Sequence, residues 1–520
     1  EGEFISNKGF TRVEFPENRF ISQLDYFLWL IDEEQLHMGL DKPVKAAPGE
    51  DGLEGPRYIS VHPKQDSMSF VSPIAVYDYK NFIIQATDVP YIQIADSRIF
   101  PVDGLLVVEP NAVMRTLKEA TIITDFANEY FTLYDATVDI KGKYDYSASA
   151  KYDYHDDAGR VQVIGFSQID VDEEHMTKGL GEVTIMDSFS LSSHFEYQGK
   201  ISFTSQSPLL TFDGATRLVH DCPVGRSWFK FNSEIDPQNI LIPVSETPLD
   251  INLNRIYAGI MLTRDSAHVY STCFSARKDY FDAYVTNASG YLTYDRENGY
   301  YEVAGMTKLS DSTATGNYLR LTAYPCFTYG EGKIDYLVNY GQLKLAAYGK
   351  AYHDMDKDEF VSDAFMAFDF YFTENALAVL SAELDSLPGL RAYDITRPAY
   401  QLGLSELVGA ETAKTMTADL SLYGTYRTIP PSFKKTIILS EVKLKWNSNT
   451  RSFRYHGDVG VVRIGEKQIN KQVEAYIELS KRSSGDLLDI YFVLNDRVWY
   501  YLGYNPGSLQ VVSSNSNFND

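Results

Sequence analysis

Only 3 of the 520 residues are cysteine: Cys222, Cys273 and Cys326. Their wide spacing contains no CxxC metal pattern, and three cysteines cannot build a disulfide framework for a chain of this size. One bridge with a leftover thiol is open, and so is none, so cysteine alone says little about compartment. There is no run of 18 or more apolar residues, the length a membrane-spanning helix needs. Positive charge is scarce. Lys and Arg number 47 against 71 Asp and Glu, a formal net charge of −24. That balance excludes the basic footprint of a DNA- or RNA-binding protein and disfavours a bare anionic bilayer. It leaves room for divalent cations. Catalytic signatures are missing as well: no Gly-x-Ser-x-Gly, no HExxH, no Walker loop. Gly179-Leu180-Gly181 is followed by no helix pattern, and Cys273 and Cys326 have no His/Asn partnership in sequence. The first residue, Glu1, opens no charged and apolar leader pattern. The expectation is a processed chain, or part of a longer one.

Tyrosine is abundant, at 38 residues. Tyr fits a half-buried pleated surface, with its ring against the sheet and its hydroxyl at the wet edge. From Tyr130 to Leu218 short β-forming runs are separated by Gly, Asp, Asn or Ser. Tyr144, Tyr146, Tyr152 and Tyr154 share one parity, the period of a strand that turns bulky residues to one side. The runs return about every ten residues. A chain this long exceeds a single core, since cores stop growing at roughly 250–300 residues. It therefore has several domains, or a linear stack that grows without thickening.

In chain order, residues 1–57 read as a lead-in. Within it, Phe20 to Leu40 fits either an amphipathic helix or two strands joined at Asp32-Glu33-Glu34. Alternation of Trp29, Ile31, Leu36 and Met38 favours the hairpin. Residues 42–56, with their prolines and glycines, read as a loop. Residues 58–220 read as a β stack, with small residues (Ala86, Ala95, Ala112, Ala120) at corners and β-branched residues inside. Residues 221–255, carrying Pro223, Pro237 and Pro243, read as a loop or capping excursion, and 256–371 as a continuation of the stack. Residues 372–429 have helical spacing and Ala/Leu/Glu content. Residues 430–520 read as a compact β meander able to fold alone and cap the stack. The fold class expected is all-β: an elongated solenoid-like stack with a small helical insertion and a C-terminal antiparallel module.

Candidate chemistry is sparse. Asp354, Asp356 and Asp358 alternate like the start of a calcium loop, but Glu359 stands where that loop needs Gly and Phe365 where it needs Glu. Ca²⁺ at these carboxylates stands beside the reading of an acidic turn. Asp153, His155, Asp156 and Asp157 are carboxylate-rich, as glycoside hydrolysis requires, yet Asp156-Asp157-Ala158-Gly159 is also what a surface hairpin turn demands. Asp170, Asp172, Glu173, Glu174 and His175 read the same way. Trp228, Phe229 and Phe231 are candidate glycan-stacking rings, as are Trp499-Tyr500-Tyr501, with core packing as the alternative. No catalytic residue is assigned.

The segments YDATVDIKGKYDYSASAKYDY and FEYQGKISFTSQSPLLTFDG give residues 58–345 a grammar that resembles the OstA/LptA-like stacked-strand envelope proteins of Gram-negative bacteria. It also resembles very large β-rich envelope proteins of Bacteroidetes bacteria. The resemblance implies an extracytoplasmic protein, in the periplasm, at the outer membrane or on the cell surface. It also implies a lipopolysaccharide conduit or a periplasm-spanning scaffold. The helical insertion and the terminal meander depart from a plain conduit. The function expected is a non-enzymatic structural or assembly component of the envelope, partnered by other envelope or surface proteins. A polysaccharide-acting or glycan-binding β-helix and a lipid carrier are the alternatives.

Overall fold

The computed structural model describes residues 2–5, 11–24, 26–39, 55–125, 127–265 and 268–519. Most of the loop expected at residues 42–56 lies outside them. The chain divides into two units, Glu1–Thr216 with Phe231–Ile240, and Arg217–Lys230 with Leu241–Asp520. The protein is all-β in class.

The first unit begins as a sandwich. Thr11–Phe15, Phe20–Leu24, Arg57–Ser60 and Ser69–Val71 form one antiparallel sheet, while Tyr26–Leu30, Gln35–Met38, Ile74–Asp78 and Ile83–Thr87 lie in another. The chain alternates between them hairpin by hairpin. Rings from the two layers meet: Phe15 meets Tyr77 edge-on with centroids 5.0 Å apart, the orientation the ring quadrupoles favour. The hairpin expected around Asp32 is present, with Leu30 opposite Gln35. Residues expected as a lead-in carry strands of both sheets: Phe20–Leu24 pairs with Arg57–Ser60, Phe20 opposite Ser60, and Gln35–Met38 pairs with Ile74–Asp78. Phe15, Phe20 and Leu24 need a covered face and are all buried.

The Tyr-rich stretch forms the long antiparallel strands Phe131–Gly142, Asp145–His155 and Val161–Val171 in an 11-stranded sheet. Tyr146 and Tyr154 are buried on the face predicted for them. Solenoid stacking is not what the pairings show. Each strand of this run joins its chain neighbour antiparallel, through turns too tight for the coil of a stacked rung. The excursion at 221–255 is also more ordered than its prolines suggest. Phe229–Ile235 is a strand at the end of this sheet and Ile242–Val244 another in the second unit. Alternation of Phe229, Phe231 and Ile235 with polar residues explains the first.

The second unit is organised on a 14-stranded antiparallel sheet, with a separate three-stranded sheet of Tyr257–Leu262, Val269–Ser275 and Ala283–Asn287. The strand Glu359–Asp369 shows why the large sheet is covered on both faces. Ala364, Met366 and Phe368 enter one core. Phe365 and Ala367 enter the other, with Tyr400, Leu404 and Met416 from the helices. A strand buried on both sides reads as a continuous apolar run, and its second half, AFMAF from Ala364 to Phe368, does. The helical insertion forms as expected: Glu374–Ser386, Pro398–Val408 and Ala410–Tyr423. Pro398 occupies the first turn of its helix, where its missing N–H costs nothing. Gly409, at φ 90°, breaks the last two helices apart.

The meander from residue 430 does not stand alone. Ile437–Val442 pairs with Glu359–Asp369, Met366 opposite Leu439, so the terminal strands continue the same sheet and the same cores. Local turns made the hairpins legible; the apolar faces, which need a partner, decide the boundary. Cys222 and Cys326 form a disulfide, 104 residues apart, and Cys273 is a buried free thiol.

Candidate functional site

Four consecutive strands of the second unit build one chemically dense face: Tyr300–Ala304, Tyr318–Ala323, Cys326–Ile334 and Lys344–Asp354. In the first two, alternate residues go to opposite sides. Tyr301, Val303, Leu319 and Leu321 are buried on one side, which sends Tyr300, Glu302, Tyr318 and Arg320 to the other. Antiparallel register then lines up cross-strand rows. Glu302 lies opposite Arg320, Arg320 opposite Tyr329, and Tyr329 opposite Tyr352. In the next row Tyr318 faces Glu331 and Glu331 faces Lys350. Opposite charges in direct register stabilise a sheet face.

These side chains line a cleft of about 470 Å³, with Asp295, Lys308 and Ser312 along its side. The Arg320 guanidinium lies 4.7 Å from the Tyr300 ring centroid, 5.2 Å from Phe327 and 5.0 Å from Tyr329, within cation–π range of each. Its Nε is shielded from solvent and donates to no acceptor. The Tyr329 and Tyr352 rings are 5.0 Å apart. Tyr318 donates its hydroxyl proton to Glu302 Oε2 at 2.9 Å, and Tyr329 donates to Glu331. Burial pushes the Glu302 carboxyl above its ordinary range, opposed by the Tyr318 hydrogen bond and Arg320. Burial and the neighbouring carboxylates raise Tyr318 and Tyr329 strongly, so both stay neutral donors.

One wall of the cleft is fixed by Lys308. It is 5% exposed, and its ammonium donates to Ser312 O at 2.7 Å, Ala314 O at 2.7 Å and Glu331 Oε1 at 2.5 Å. Three acceptors satisfy its three donors, so Lys308 pins the loop after Ser310 to the sheet rather than reaching for a ligand. The Gly316 N–H donates to Glu406 on the helix Pro398–Val408 and fastens the far end of that loop. The arrangement offers flat ring faces, hydroxyl donors, a carboxylate acceptor and a guanidinium on a fixed frame.

The residues singled out from the sequence lie elsewhere. Asp354, Asp356 and Asp358 belong to a hairpin turn. Asp354 accepts from the N–H of Asp356 and Lys357 at 3.1 Å each and from Lys357 Nζ at 2.7 Å. Among the described residues no three His, Cys, Asp or Glu side chains converge to hold a metal. Phe229 is 1% exposed and stacks on Phe274 at 4.4 Å; Phe231, 6% exposed, meets Tyr197 edge-on. Trp228 is covered by the Arg217 guanidinium at 4.6 Å. Phe229 and Phe231 thus pack into the protein, while Trp228 is half-buried. Trp499 stacks on Tyr491, centroids 5.4 Å apart, and Tyr500 is buried.

Asp156 is a turn residue, as expected, but not a surface one: it is 1% exposed. Its carboxylate accepts from the N–H of Ala158 at 2.9 Å and of Arg160 at 2.8 Å, and from Arg160 Nε at 2.6 Å. Asp172 caps its own turn in the same way. Ser271 carries no local signal in the sequence; its Oγ lies 2.9 Å from His353 Nδ1, with Asp358 3.5 Å from His353 Nε2. Ser271 is 6% exposed in a strand buried along its length, so it is not offered to a substrate. Burial pushes His353 below its ordinary value despite Asp358. The pair ties the small sheet to the large one.

The cleft went unnoticed in sequence because each strand supplies only two or three of its residues. The available signal was Tyr alternating with charge at i, i+2 in four successive strands: Tyr300/Glu302, Tyr318/Arg320, Tyr329/Glu331 and Lys350/Tyr352. No helix among the described residues is long and apolar enough to cross a membrane. No family model, curated protein or solved structure matches the chain, and nothing links it to the OstA/LptA-like or Bacteroidetes envelope proteins.

Proposed function

We propose that this chain is a non-enzymatic, glycan-binding component of a bacterial cell envelope or surface, and that the tyrosine cleft of the second unit is its contact site. The observation that carries the reading is the cross-strand row Glu302–Arg320–Tyr329–Tyr352. A sugar ring presents an apolar face for stacking and a rim of hydroxyls that both donate and accept. The cleft matches this with ring faces, tyrosine hydroxyls, a half-buried carboxylate and a guanidinium whose Nε lacks an acceptor. Its formal charges balance, three carboxylates (Asp295, Glu302, Glu331) against three cations (Lys308, Arg320, Lys350), which favours a neutral ligand over a charged one.

An extracytoplasmic setting is supported by the Cys222–Cys326 disulfide, since such bridges persist in oxidising compartments. A lipid conduit needs a continuous apolar groove, whereas charged and hydroxyl-bearing side chains line the clefts of this unit. The test is affinity electrophoresis of the intact protein through gels containing neutral polysaccharides, with Tyr329→Ala and Arg320→Ala beside the wild type. Retardation lost in both variants supports the reading. Migration unaffected by every polysaccharide overturns it.

A further inference from the structure

A second cavity of the same unit has different chemistry. It measures about 530 Å³ and lies where the chain leaves the helix Ala410–Tyr423 and re-enters the sheet. Arg463, near the end of the strand Ser452–Ile464, lines it. This arginine is 3% exposed. Its Nε and Nη1 are shut off from solvent and donate to nothing. The only aromatic ring beneath it among the described residues is Phe433, 5.8 Å away.

Burying an uncompensated charge is strongly unfavourable, and buried donors in native proteins almost always have acceptors. The surroundings do not provide one. Asp369 is taken by Lys435 at 2.7 Å, and Glu466 is exposed on the rim without a hydrogen bond to Arg463. Arg427 and Lys434 add two exposed cations at the same rim, neither with an ion-pair partner among the described residues. Three cations without an ion-pair contact therefore share one free carboxylate, Glu466, on a chain whose overall formal charge is −24. In a protein this acidic, such a concentration of positive charge is a local exception that draws anions to one place.

The geometry points to an oxyanion site: the cavity takes a phosphate or sulfate group, held by Arg463 at its base and by Arg427 and Lys434 at its mouth. Guanidinium forks match tetrahedral oxyanions through paired N–H donors, and lysine adds a mobile point charge. The cavity is larger than the bare ion and falls in the range of sites for small organic ligands, so the group arrives free or carried on a sugar. The site is independent of the tyrosine cleft and shares no residue with it.

The experiment is thermal unfolding of the full chain at constant ionic strength, with inorganic phosphate, inorganic sulfate, glucose 6-phosphate or glucose added against a chloride reference. Phosphate or sulfate at about 10 mM should raise the wild-type Tm by roughly 2–5 °C, and glucose should not. A larger rise with glucose 6-phosphate identifies a group carried on a sugar; an equal or smaller rise identifies the free ion. Arg463→Met should lose the anion-dependent rise while unfolding no lower than wild type without anion, since it removes an unpaired buried charge. The exposed pair Arg427→Ala/Lys434→Ala keeps the fold in any case and should weaken binding about tenfold or more. No anion-specific rise in wild type, or a rise undiminished in the rim variant, overturns the site. Loss of polysaccharide retardation in the cleft variants leaves it untouched.

Discussion

Tyr318 Oη donates to Glu302 Oε2 at 2.9 Å across neighbouring strands, and that bond favours the charged form of a carboxyl in the cleft. Burial raises the Glu302 carboxyl above its ordinary 4.5, and the hydrogen bond holds it back. An acid raised in this way loses its charge at a pH above 4.5 as the solution is acidified. Tyr318→Phe removes the restraining bond, so the carboxyl should titrate higher still, and polysaccharide affinity should begin to fall at a higher pH. Carbon-13 NMR of the Glu302 δ-carboxyl measures both. Identical titrations in the two proteins would show that the bond does not operate.

The Cys222–Cys326 bridge closes a loop of about a hundred residues, long enough to contribute roughly 2–5 kcal/mol by restricting the unfolded chain. Reduction, or Cys222→Ser with Cys326→Ser, should lower the denaturation midpoint accordingly. Burial pushes the remaining thiol, Cys273, up to about 12, so it should resist iodoacetamide in the folded protein. Mass spectrometry should find no label in the native oxidised protein and one label after unfolding without reductant.

Gly403 sits inside the helix Pro398–Val408, where Ala would ordinarily be preferred by about 1 kcal/mol. A Cβ at this position would come within 2.0 Å of Phe365 Cβ. Gly403→Ala should therefore destabilise the protein by about 1–3 kcal/mol, opposite in sign to helix propensity. Chemical denaturation measures the change, and a stabilised variant would mean that the helix does not pack this closely on the sheet.

Asp156 makes a similar case in the first unit. Burial pushes its carboxyl up, but Arg160 and the N–H groups of Ala158 and Arg160 outweigh it and hold the group below its ordinary 3.8. A depressed acid contributes stability above its unfolded value and loses that contribution as pH falls through its folded one. Asp156→Ala should cost about 1–3 kcal/mol at neutral pH, and the gap from wild type should close below pH 3.8. Denaturation midpoints at pH 7 and in acid test this.

How far the sequence carried depends on the range of the interactions involved. The helices at 374–423, the hairpin at Leu30/Gln35 and the Asp156 turn were legible because their signals are local: Ala/Leu/Glu periodicity, two-residue alternation and turn chemistry. Strand partnership is not local. Nothing near Val442 announces that it lies opposite Ala364, so the terminal meander looked autonomous. Regular spacing of short strands suits a coiled stack and an antiparallel meander equally, and only the pairing separates them. The cleft and Arg463 fell out of sight for the same reason, since register and burial assemble both from residues with unremarkable neighbours.

The central claim is tested most directly by affinity electrophoresis of the intact wild type and Tyr300→Ala/Tyr352→Ala in gels cast with neutral polysaccharides. These rings stand at opposite sides of the cleft, and both are partly exposed, so the fold should tolerate their removal. Central contact residues in binding sites carry most of the affinity, and losing aromatic ones costs about tenfold or more. The account predicts retardation of the wild type by at least one polysaccharide and its loss in the double variant, with an unchanged denaturation midpoint. Equal retardation of the two proteins would contradict it.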